Sequence, residues 1–419
     1  MSALYDLNNP PPYDRFSPSK YVRGEPYVVT AEQIAEIIGF PPNVQQVYAV
    51  NLAVNWYRGW QHKVHRQQVF CLAGFAGCGK TTIAMAIAQL CLGASNAGSV
   101  RYVAPTGKAA SRLRQKGCTG ACTIHQFIYR PAGENDDGDP IFVDKGVLDE
   151  TPHLVVMDES SMVGGYVEAD LCARRLPIIA LYDPGQVPPV KDKQVFTIER
   201  ADICLTEIER NAGNIVKASM FVRQGKRLPP REYDDVSVKN SQTIDDEIFK
   251  RFLPETNVVI CARNATRQKA NRRARRLLGY KDVLPEVGEK VVATANQHSH
   301  GVMNGEQAIV LDYKDLPEGM EDDDWPDMKM VNIRMLSTGF ERWVLFNPVS
   351  FDSDFERMKA AQKCAGGFDF GYALTVHKSQ GSEWEEVLVY EESIPGVPYA
   401  QLMYTAITRA IRFMMLLRA

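Results

Sequence analysis

A glycine-rich stretch, GFAGCGKT at residues 74–81, has the clearest chemical signature in the chain. Its spacing is G-x-x-x-x-G-K-[ST], and it lies between a short apolar run, VFCLA, and a helical pattern, TTIAMAIAQLCL. Glycines allow backbone N–H groups to turn toward phosphate oxygens, and the N-terminus of the following helix adds partial positive charge. The pattern predicts a nucleoside triphosphate site, with Lys80 at the β- and γ-phosphates and the Thr81 hydroxyl on Mg²⁺. The residues expected at this site are Gly74, Gly77, Cys78, Gly79, Lys80, Thr81 and Thr82.

Two further polar groups directly follow apolar runs. Asp158 and Glu159 follow HLVVM, where an aspartate commonly holds Mg²⁺ and a glutamate can take a proton from an attacking water. The same letters, DESS, also fit the start of an exposed helix, although the phosphate loop favours the catalytic interpretation. Gln186, in YDPGQ, could contact the γ-phosphate or the water, or it could belong to a plain proline-glycine turn.

Apolar runs that alternate with helical patterns position these groups. Short continuous apolar strands between helices are typical of a parallel sheet covered on both faces, with ligands bound at the carboxyl edge. A second series begins near residue 205 and includes NVVICAR, the basic helix ATRQKANRRARRLL, EEVLVYEE and RFMMLLRA. This predicts a second α/β domain, in which the basic helix is either a groove wall or a solvated face. Two insertions interrupt this alternation: residues 130–150 predict a short hairpin, and residues 288–360 predict a small β-barrel.

Composition narrows the class of protein. The chain has 419 residues, 45% of them apolar and 24% charged, as expected for a multidomain soluble protein. No apolar run is long enough to cross a membrane and no signal pattern begins the chain, which predicts a bacterial or phage-infected host cytoplasm. The net charge of −3 excludes nucleic-acid binding through a global positive field and requires a local basic groove.

The cysteine pattern indicates reduced thiols. Nine cysteines are scattered, mostly in apolar runs, so we expect buried thiols without disulfides. Cys118, Cys122 and His125 are close in sequence but fit no common zinc spacing.

Taken in order, the motifs resemble those of the superfamily 1 helicases, and the branch that contains RecD and Dda in particular. The similar segments are GFAGCGKT, APTGKAASRL (104–113), TIHQF (123–127), VVMDESSM (155–162), LYDPGQVPPV (181–190), LTEIERNA (205–212), YALTVHKSQGSEW (372–384) and LMYTAITRA (402–410). The resemblance extends from about residue 43 to the last residue.

The resemblance implies an α/β fold with two RecA-like P-loop NTPase domains, a short β-hairpin insert and a small SH3-like β-barrel insert. The expected organisation is a loose N-terminal arm at 1–28, a first RecA-like domain at 29–129 and 151–204, a pin-like hairpin at 130–150, a second RecA-like domain at 205–287 and 361–419, and the SH3-like insert at 288–360.

The resemblance also implies further nucleotide contacts. Arg210 and Arg409 match the arginine fingers that stabilise charge on the transferring γ-phosphoryl group. Gln46, or less favourably Gln33, matches the glutamine that reads adenine. In the YALTVHKSQGSEW segment, the residues expected to face the nucleotide are Gln380, Gly381 and Glu383.

Single-stranded DNA is the implied polymer, crossing both domains. The expected contacts are Pro105, Thr106, Lys108, His125 and Phe127 in the first domain, and Thr375, His377 and Ser379 in the second. Such contacts to phosphates fix the register of the strand without reading its sequence. The rings of Phe127 and Trp384 fit either base stacking or core packing.

The implied function is that of a DNA helicase that depends on ATP and Mg²⁺. It would move 5′ to 3′ on single-stranded DNA and open tailed duplexes. The resemblance also implies a monomer, with replication or recombination proteins as partners. The acidic hairpin tip, ENDDGD, repels phosphates and keeps open an alternative, an ATPase that strips protein–nucleic acid complexes without much unwinding. An RNA-acting relative is a further alternative. The seven motifs that follow the phosphate loop in order argue against a P-loop kinase for small substrates.

Overall fold

A computed structural model describes residues 18–93, 99–134, 140–189, 192–207, 213–240, 244–297, 300–318 and 324–418. The helices in these ranges are α1 (Ala31–Ile38), α2 (Val44–Gln61), α3 (Lys80–Leu92), α4 (Gly107–Gln115), α5 (Ile124–Ile128), α6 (Gly165–Cys172), α7 (Asn214–Arg223), α8 (Asp246–Lys250), α9 (Asn264–Leu278), α10 (Phe355–Ala361), α11 (Val376–Ser379) and α12 (Tyr399–Ile407). The strands are β1 (Val69–Gly74), β2 (Val100–Ala104), β3 (Cys122–Thr123), β4 (Tyr129–Glu134), β5 (Pro140–Asp144), β6 (Leu154–Met157), β7 (Ile178–Tyr182), β8 (Ile203–Leu205), β9 (Val236–Asn240), β10 (Asn257–Cys261), β11 (Lys290–Ala293), β12 (Gln307–Asp315), β13 (Lys329–Met335), β14 (Glu341–Phe346), β15 (Phe368–Phe370), β16 (Ala373–Thr375), β17 (Trp384–Glu391) and β18 (Ala410–Arg418).

The first sheet has six strands in the order β3-β2-β6-β7-β1-β8, and all of its pairs are parallel. Its central strands are buried on both faces, so their sequences are continuous apolar runs rather than alternating ones. One face packs in a core with α1, α2 and α3, and the other packs in a second core with α5 and α6. The predicted parallel α/β sheet is confirmed.

The second sheet has five parallel strands in the order β16-β10-β17-β18-β9. The strands β10, β17 and β18 correspond to the three apolar runs that predicted a second α/β domain. The two edge strands, β9 and β16, were missed because they are three to five residues long and carry little pattern of their own.

A third sheet is antiparallel, with five strands in the order β14-β13-β12-β11-β15. Its inward side chains form a separate apolar core that includes Val291, Val310, Ile333 and Phe346. The sheet extends past residue 360, where the predicted insert ends, because β15 pairs with β11. Strands β4 and β5 form a two-stranded sheet at the predicted hairpin. Residues 135–139 of the acidic tip lie outside the described residues.

The chain divides into two compact units. The first contains the described residues up to Pro105, with Ala109–Arg130 and Asp144–Gly213; the second contains Thr106–Lys108, Pro131–Val143 and the described residues from Asn214 onward. The finer predicted domain boundaries stay predictions. No helix among the described residues is long and apolar enough to span a membrane.

The described part of the predicted N-terminal arm, from residue 18, is held by the first unit. Tyr21 is 1% exposed, and its hydroxyl donates to Asp202 Oδ1 at 2.9 Å. The backbone N–H of Tyr27 donates to Asn55 Oδ1 at 2.9 Å. The prediction of a loose arm to residue 28 is therefore wrong for this part, because side chains far along the chain supply its partners.

The basic helix α9 binds the protein's own carboxylates. Arg275 makes two hydrogen bonds of 2.8 Å to Glu289, which is fully buried just before β11. Arg267 forms an ion pair with Asp369 in β15, and both residues are buried. These arginines therefore connect α9 to two strands of the antiparallel sheet, a role that neither predicted alternative, groove wall or solvated face, describes.

Candidate nucleotide-binding site

The phosphate loop turns between the end of β1 and the start of α3. Gly77 and Gly79 have φ values of 83° and 79°, in the left-handed region that other residues rarely adopt. Gly74 is needed for space, since a Cβ there would lie 2.6 Å from Cys78 Sγ. Gly79 is also the N-cap of α3. The loop therefore has the backbone geometry that the motif requires for turning N–H groups toward an anion.

Lys80 lies in the centre of this loop. Its Nζ donates to the carbonyl oxygens of Gly74 at 2.8 Å and Phe75 at 3.0 Å. Desolvation would lower the pKa of Lys80, but the negative groups around it, Asp183 among them, raise that pKa above its usual value. The side chain is therefore a cation at neutral pH, and its Nζ also lies 4.0 Å from Cys78 Sγ.

Asp158 directly follows β6 and faces the phosphate loop. Its Oδ2 accepts a hydrogen bond from the Thr81 hydroxyl at 3.1 Å, and its Oδ1 accepts one from the Glu159 N–H at 2.8 Å. Burial, and then the charge of Glu159, raise the pKa of Asp158. A hydroxyl and a carboxylate in contact form an oxygen donor set of the kind that Mg²⁺ prefers, so these two residues fit the predicted ion.

Glu159 has an unusual backbone conformation. Its φ and ψ are 52° and 36°, in the left-handed region, at the start of a 3₁₀ turn, Ser160–Met162. Glu159 is the N-cap of that turn, but its side chain makes no capping hydrogen bond. The helix-start interpretation of DESS therefore lacks its defining contact, and the strained conformation is typical of a functional position.

Gln186 lies in a tight turn after β7. Asp183 Oδ1 accepts from the Gly185 N–H at 2.9 Å, and the Gln186 N–H donates to the Asp183 carbonyl at 3.2 Å. The turn interpretation is thus correct for the backbone. The same turn buries Gln186, whose Oε1 lies 3.5 Å from the Ser161 hydroxyl, in the segment that follows Glu159. Since β6, β7 and β1 are neighbours, their carboxyl ends bring together all three predicted groups.

Gln46 is fully buried and holds the chain's own backbone. It forms a reciprocal capping box with Asn43 at the start of α2, and its Nε2 donates to the Cys78 carbonyl in the phosphate loop at 3.3 Å. Gln33 forms the same box with Thr30 at the start of α1. Asparagine or threonine followed three residues later by glutamine is a capping signal that sequence reasoning missed. Adenine reading by either glutamine stays a prediction.

In the second unit, Arg409 is 3% exposed at the end of α12. Its guanidinium donates to the Thr405 carbonyl at 2.9 Å, the Ser382 carbonyl at 3.3 Å and the Thr408 hydroxyl at 3.2 Å. Arg409 therefore joins α12 to the loop after α11. Arg210, the other predicted finger, lies outside the described residues.

The loop around α11 contains the predicted contacts of the second unit. Thr375 caps α11 by accepting from the Lys378 N–H at 3.3 Å. Ser379 is 0% exposed, and its hydroxyl donates to the Val376 carbonyl at 2.7 Å. The hydroxyl is therefore buried and bonded within the helix, and the contact of Ser379 with DNA stays a prediction. Of the residues predicted to face the nucleotide, Gln380 is buried, Gly381 has a φ of 72° and Glu383 is partly exposed.

The two predicted histidines are half-buried. Burial lowers the pKa of both His125, on α5, and His377, on α11, so their imidazoles are uncharged at neutral pH. Pro105, Thr106 and Lys108, at and after the end of β2, are partly exposed.

Both aromatic rings considered for base stacking belong to apolar cores. Phe127 is 6% exposed and packs with Ile124 in the core of the first sheet. Trp384 is also 6% exposed, and its Nε1 donates to Gln307 Oε1 at 3.0 Å. Phe127 thus packs in an apolar core, and the centre of the Trp384 ring lies 5.1 Å from Lys108 Nζ. Contact of either ring with DNA stays a prediction.

The prediction of buried thiols is correct for some of the nine cysteines. All nine cysteines are free, four of them buried and five partly buried. Within the described ranges, no group of three or more histidine, cysteine, aspartate or glutamate residues could hold a metal ion.

Two family models match parts of the chain. The AAA domain model matches residues 60–236, and the UvrD-like helicase C-terminal domain model matches residues 370–415. The ATP-dependent RecD2 DNA helicase of Deinococcus radiodurans is 27% identical over 367 residues, which are 81% of this chain and 45% of that protein. RecD of the RecBCD enzyme of Mycolicibacterium smegmatis is 24% identical and covers 82% of this chain and 67% of its own length. An uncharacterised protein of Methanocaldococcus jannaschii is 23% identical over 82% of this chain and 36% of its own length. The chain thus spans less than half of two of these relatives.

Solved structures share the fold. A structure of Pif1 helicases that unwind forked double-stranded DNA covers 93% of this chain and 92% of its own, with a TM-score of 0.53 and 16% identity. The Pif1 helicase of Candida albicans covers 90% and 94%, with a TM-score of 0.50 and 19% identity. At these identities the likeness shows the fold, and it agrees with mixed α/β domains built on parallel sheets.

Proposed function

We propose that the chain is a member of the superfamily 1 helicases of the RecD/Pif1 type, and that it is an ATP-dependent DNA helicase that moves 5′ to 3′ on single-stranded DNA and separates duplex DNA. The observation that carries the proposal is the contact between Thr81 and Asp158 beside a phosphate loop with two left-handed glycines. The sequence similarity to RecD2, a DNA helicase, supports the substrate.

ATP with Mg²⁺ fits the residues at the carboxyl edge of the first sheet, and when bound it would supply the γ-phosphoryl group that hydrolysis transfers to water. The backbone N–H groups from Gly77 to Thr82 would bind its phosphate oxygens. Lys80 is available to them, because an ammonium group binds a charged phosphate oxygen more strongly than the neutral carbonyls that now hold it. Thr81 and Asp158 would hold the ion.

Glu159 and Gln186 are the residues we assign to the attacking water. The Glu159 carboxylate would take its proton, and the Gln186 amide would orient it. We include Arg210 and Arg409 in this proposal as the arginine fingers that would stabilise charge on the γ-phosphoryl group. Since Arg409 already donates to three oxygens of its own unit, only part of its guanidinium could serve a γ-phosphate.

The finer architecture is part of the same proposal. The antiparallel sheet β11–β15 would be the SH3-like insert, and β4–β5 would be the strand-separating pin, as their places in the chain and their strand patterns support. Pro105, Thr106, Lys108, His125, Thr375 and His377 would contact the DNA backbone. The working form would be a monomer on tailed duplex DNA, alongside replication or recombination proteins.

A strand-displacement assay with ATP tests this function. We expect displacement on a 5′-tailed DNA duplex and little on a 3′-tailed one, with both lost in Lys80→Ala. Single-stranded DNA should stimulate ATP hydrolysis more than single-stranded RNA of the same sequence. ATP hydrolysis that DNA stimulates without any displacement would instead support a remodelling enzyme, and preference for the 3′ tail or for RNA would overturn the proposal.

A further inference from the structure

The root of the hairpin β4–β5 lies in the first unit. One side is Ile128, directly before β4, and the other is Asp144, the last residue of β5, with the two residues that follow it. The Lys145 N–H donates to the Ile128 carbonyl at 3.0 Å, which joins the two sides. Asp144 Oδ1 accepts from the Gly146 N–H at 2.5 Å and holds the chain that follows β5. These contacts define a compact root from which the hairpin extends.

The strand that returns to this root is exposed on both sides. Ile141, Phe142 and Val143 are 42%, 43% and 37% exposed. Because neighbouring residues of a strand face opposite sides, neither face of β5 is buried at these positions. A two-stranded hairpin is at best marginally stable by itself. The contacts at its root therefore have a large effect on the direction in which it points.

Arg174, in the loop between α6 and β7, contacts both sides of the root. Its Nη1 donates to the Gly146 carbonyl at 2.9 Å, and its Nη2 donates to the Ile128 carbonyl at 3.1 Å. Nη2 also forms an ion pair with the Asp144 carboxylate. The Arg174 side chain is 7% exposed, and its Nε has no hydrogen-bond partner among the described residues. Every hydrogen bond that this guanidinium makes within the described part of the chain therefore goes to the hairpin root.

These contacts depend on the shape of an arginine side chain. A guanidinium presents several N–H groups in a rigid plane, whereas the ammonium of a lysine is a single point charge on a flexible chain. The hydrogen bond from Arg174 lowers the pKa of Asp144 below its usual value, so Asp144 stays ionised near neutral pH. A contact between charged groups is stronger than one between neutral groups. Arg174 thus fixes the spacing between the two sides of the root.

Helix α6 supplies a second contact to the same root. The hydroxyl of Tyr129, the first residue of β4, donates to Asp170 Oδ2 on α6. Leu171, the next residue of α6, is 1% exposed and packs in an apolar core of the first sheet. Since Arg174 follows shortly after this helix, both contacts attach the hairpin to a well-packed part of the first unit.

We propose that Arg174 is a positioning residue that fixes the direction of the hairpin, so that strand separation depends on it although it is none of the predicted nucleotide or DNA contacts. The inference rests on the proposed role of β4–β5 as the strand-separating pin. A wedge can push apart two paired strands only if its base does not yield. Without Arg174 the root loses the contact that spans both of its sides, whereas ATP hydrolysis and movement along single-stranded DNA use other residues.

Hydrogen exchange followed by mass spectrometry tests the anchoring directly, on the full chain without DNA. In Arg174→Ala, peptides that cover residues 128–146 should exchange about tenfold faster than in the wild type, and peptides from α3 should be unchanged. Arg174→Lys should fall between the two, because its ammonium keeps the charge but lacks the planar fork. Asp144→Asn removes only the charge of the ion pair, at a half-exposed side chain, and should show the same change to a smaller extent.

Strand displacement tests the consequence for unwinding. Displacement of a 5′-tailed duplex is divided by the ATP hydrolysed in the same reaction, and Arg174→Ala should lower this ratio about tenfold. Stimulation of ATP hydrolysis by single-stranded DNA should stay as in the wild type, whereas a general loss of structure would lower both activities. In a shortened protein, with residues 133–140 replaced by two glycines, Arg174→Ala should cause no further loss, because no pin is left to position.

Arg175→Ala is the matched control. Arg175 is the next residue of the same loop, it is exposed, and its side chain makes no hydrogen bond or ion pair with the described residues. This variant should match the wild type in exchange and in displacement per ATP. Unchanged exchange in Arg174→Ala, or an equal further loss of displacement in the shortened protein, would overturn the role of Arg174. If exchange rises as expected but the shortened protein unwinds like the wild type, the anchoring by Arg174 is supported and the proposed pin role is overturned.

Discussion

Glu159 has a predicted catalytic role, and its backbone adopts a left-handed conformation that is unfavourable for a residue with a Cβ atom. A residue with a Cβ in the left-handed region costs about 1–2 kcal/mol relative to the right-handed region, and glycine avoids this cost. The Asp158 carboxylate accepts from the Glu159 N–H and helps to hold this conformation. We therefore expect Glu159→Gly to be more stable than Glu159→Ala, while both lose hydrolysis.

The magnitude follows from two opposing effects. Relief of the left-handed strain favours glycine by about 1–2 kcal/mol, whereas the greater freedom of glycine in the unfolded chain disfavours it by about 0.5–1 kcal/mol. The net expected advantage of Glu159→Gly over Glu159→Ala is about 0.5–1 kcal/mol in the free energy of unfolding. Removal of a general base should slow ATP hydrolysis by about 100-fold or more.

Chemical denaturation followed by circular dichroism measures the stability difference, and a phosphate-release assay with single-stranded DNA measures hydrolysis. Glu159→Gln keeps the shape of the side chain and should bind ATP with wild-type affinity while losing hydrolysis. Arg175 is the matched control, because its φ of 55° is also left-handed, but it is exposed between α6 and β7 and is not one of the predicted site residues. Arg175→Gly should exceed Arg175→Ala in stability by a similar amount and leave hydrolysis unchanged.

Two results would refute this reasoning. If Glu159→Ala were as stable as Glu159→Gly while the Arg175 pair differed as expected, the conformation of Glu159 would not be strained. If Glu159→Gln hydrolysed ATP within tenfold of the wild type, Glu159 would not be the residue that takes the proton.

Two further predictions concern the junction between α9 and the antiparallel sheet. Burial lowers the pKa of Lys290 from the usual 10.5 to about 7, so the unfolded chain binds more protons between these values and stability should rise with pH above 7. From pH 7 to pH 9 the wild type should gain about 2 kcal/mol relative to Lys290→Met in urea denaturation, and a flat difference would contradict the shift. Glu289→Gln should cost roughly 3 kcal/mol, because it leaves Arg275 buried without its bidentate partner. Glu255→Gln, which breaks the exposed pair with Arg334, should cost under about 1 kcal/mol in the same assay, and equal losses would mean that burial does not matter here.

The phosphate loop could be predicted from local information. Its conformation depends on glycines at fixed positions between a strand and a helix, and Gly77 and Gly79 have the expected left-handed backbone. The strands that carry the neighbouring acidic residues are buried on both faces and are therefore visible as continuous apolar runs. Since parallel strands end at one edge, the predicted parallel sheet places Asp158 and Thr81 at the same edge, and the order of the strands in the folded sheet brings them into contact.

Other features depend on partners that are distant in sequence. Edge strands β9 and β16 are recognisable only through their pairing with β18 and β10, because their own sequences are too short to show a period. The type of a residue also does not show which other residues pack against it in the folded chain. Phe127 and Trp384 are core residues for that reason, although their sequence context equally allowed stacking on bases.

Polar side chains show most clearly which properties the sequence determines and which the tertiary structure decides. The types and spacing of the residues specify which groups can do chemistry, because chemistry requires particular functional groups at particular places along a strand or loop. Whether such a group is free to act depends on the acceptors that folding brings near it. The side chains of Ser379 and Gln46 donate hydrogen bonds to nearby backbone carbonyls. The α9 arginines Arg267 and Arg275 are paired with Asp369 and Glu289. These contacts form because a buried polar group without a partner is costly, and the nearest partner removes that cost.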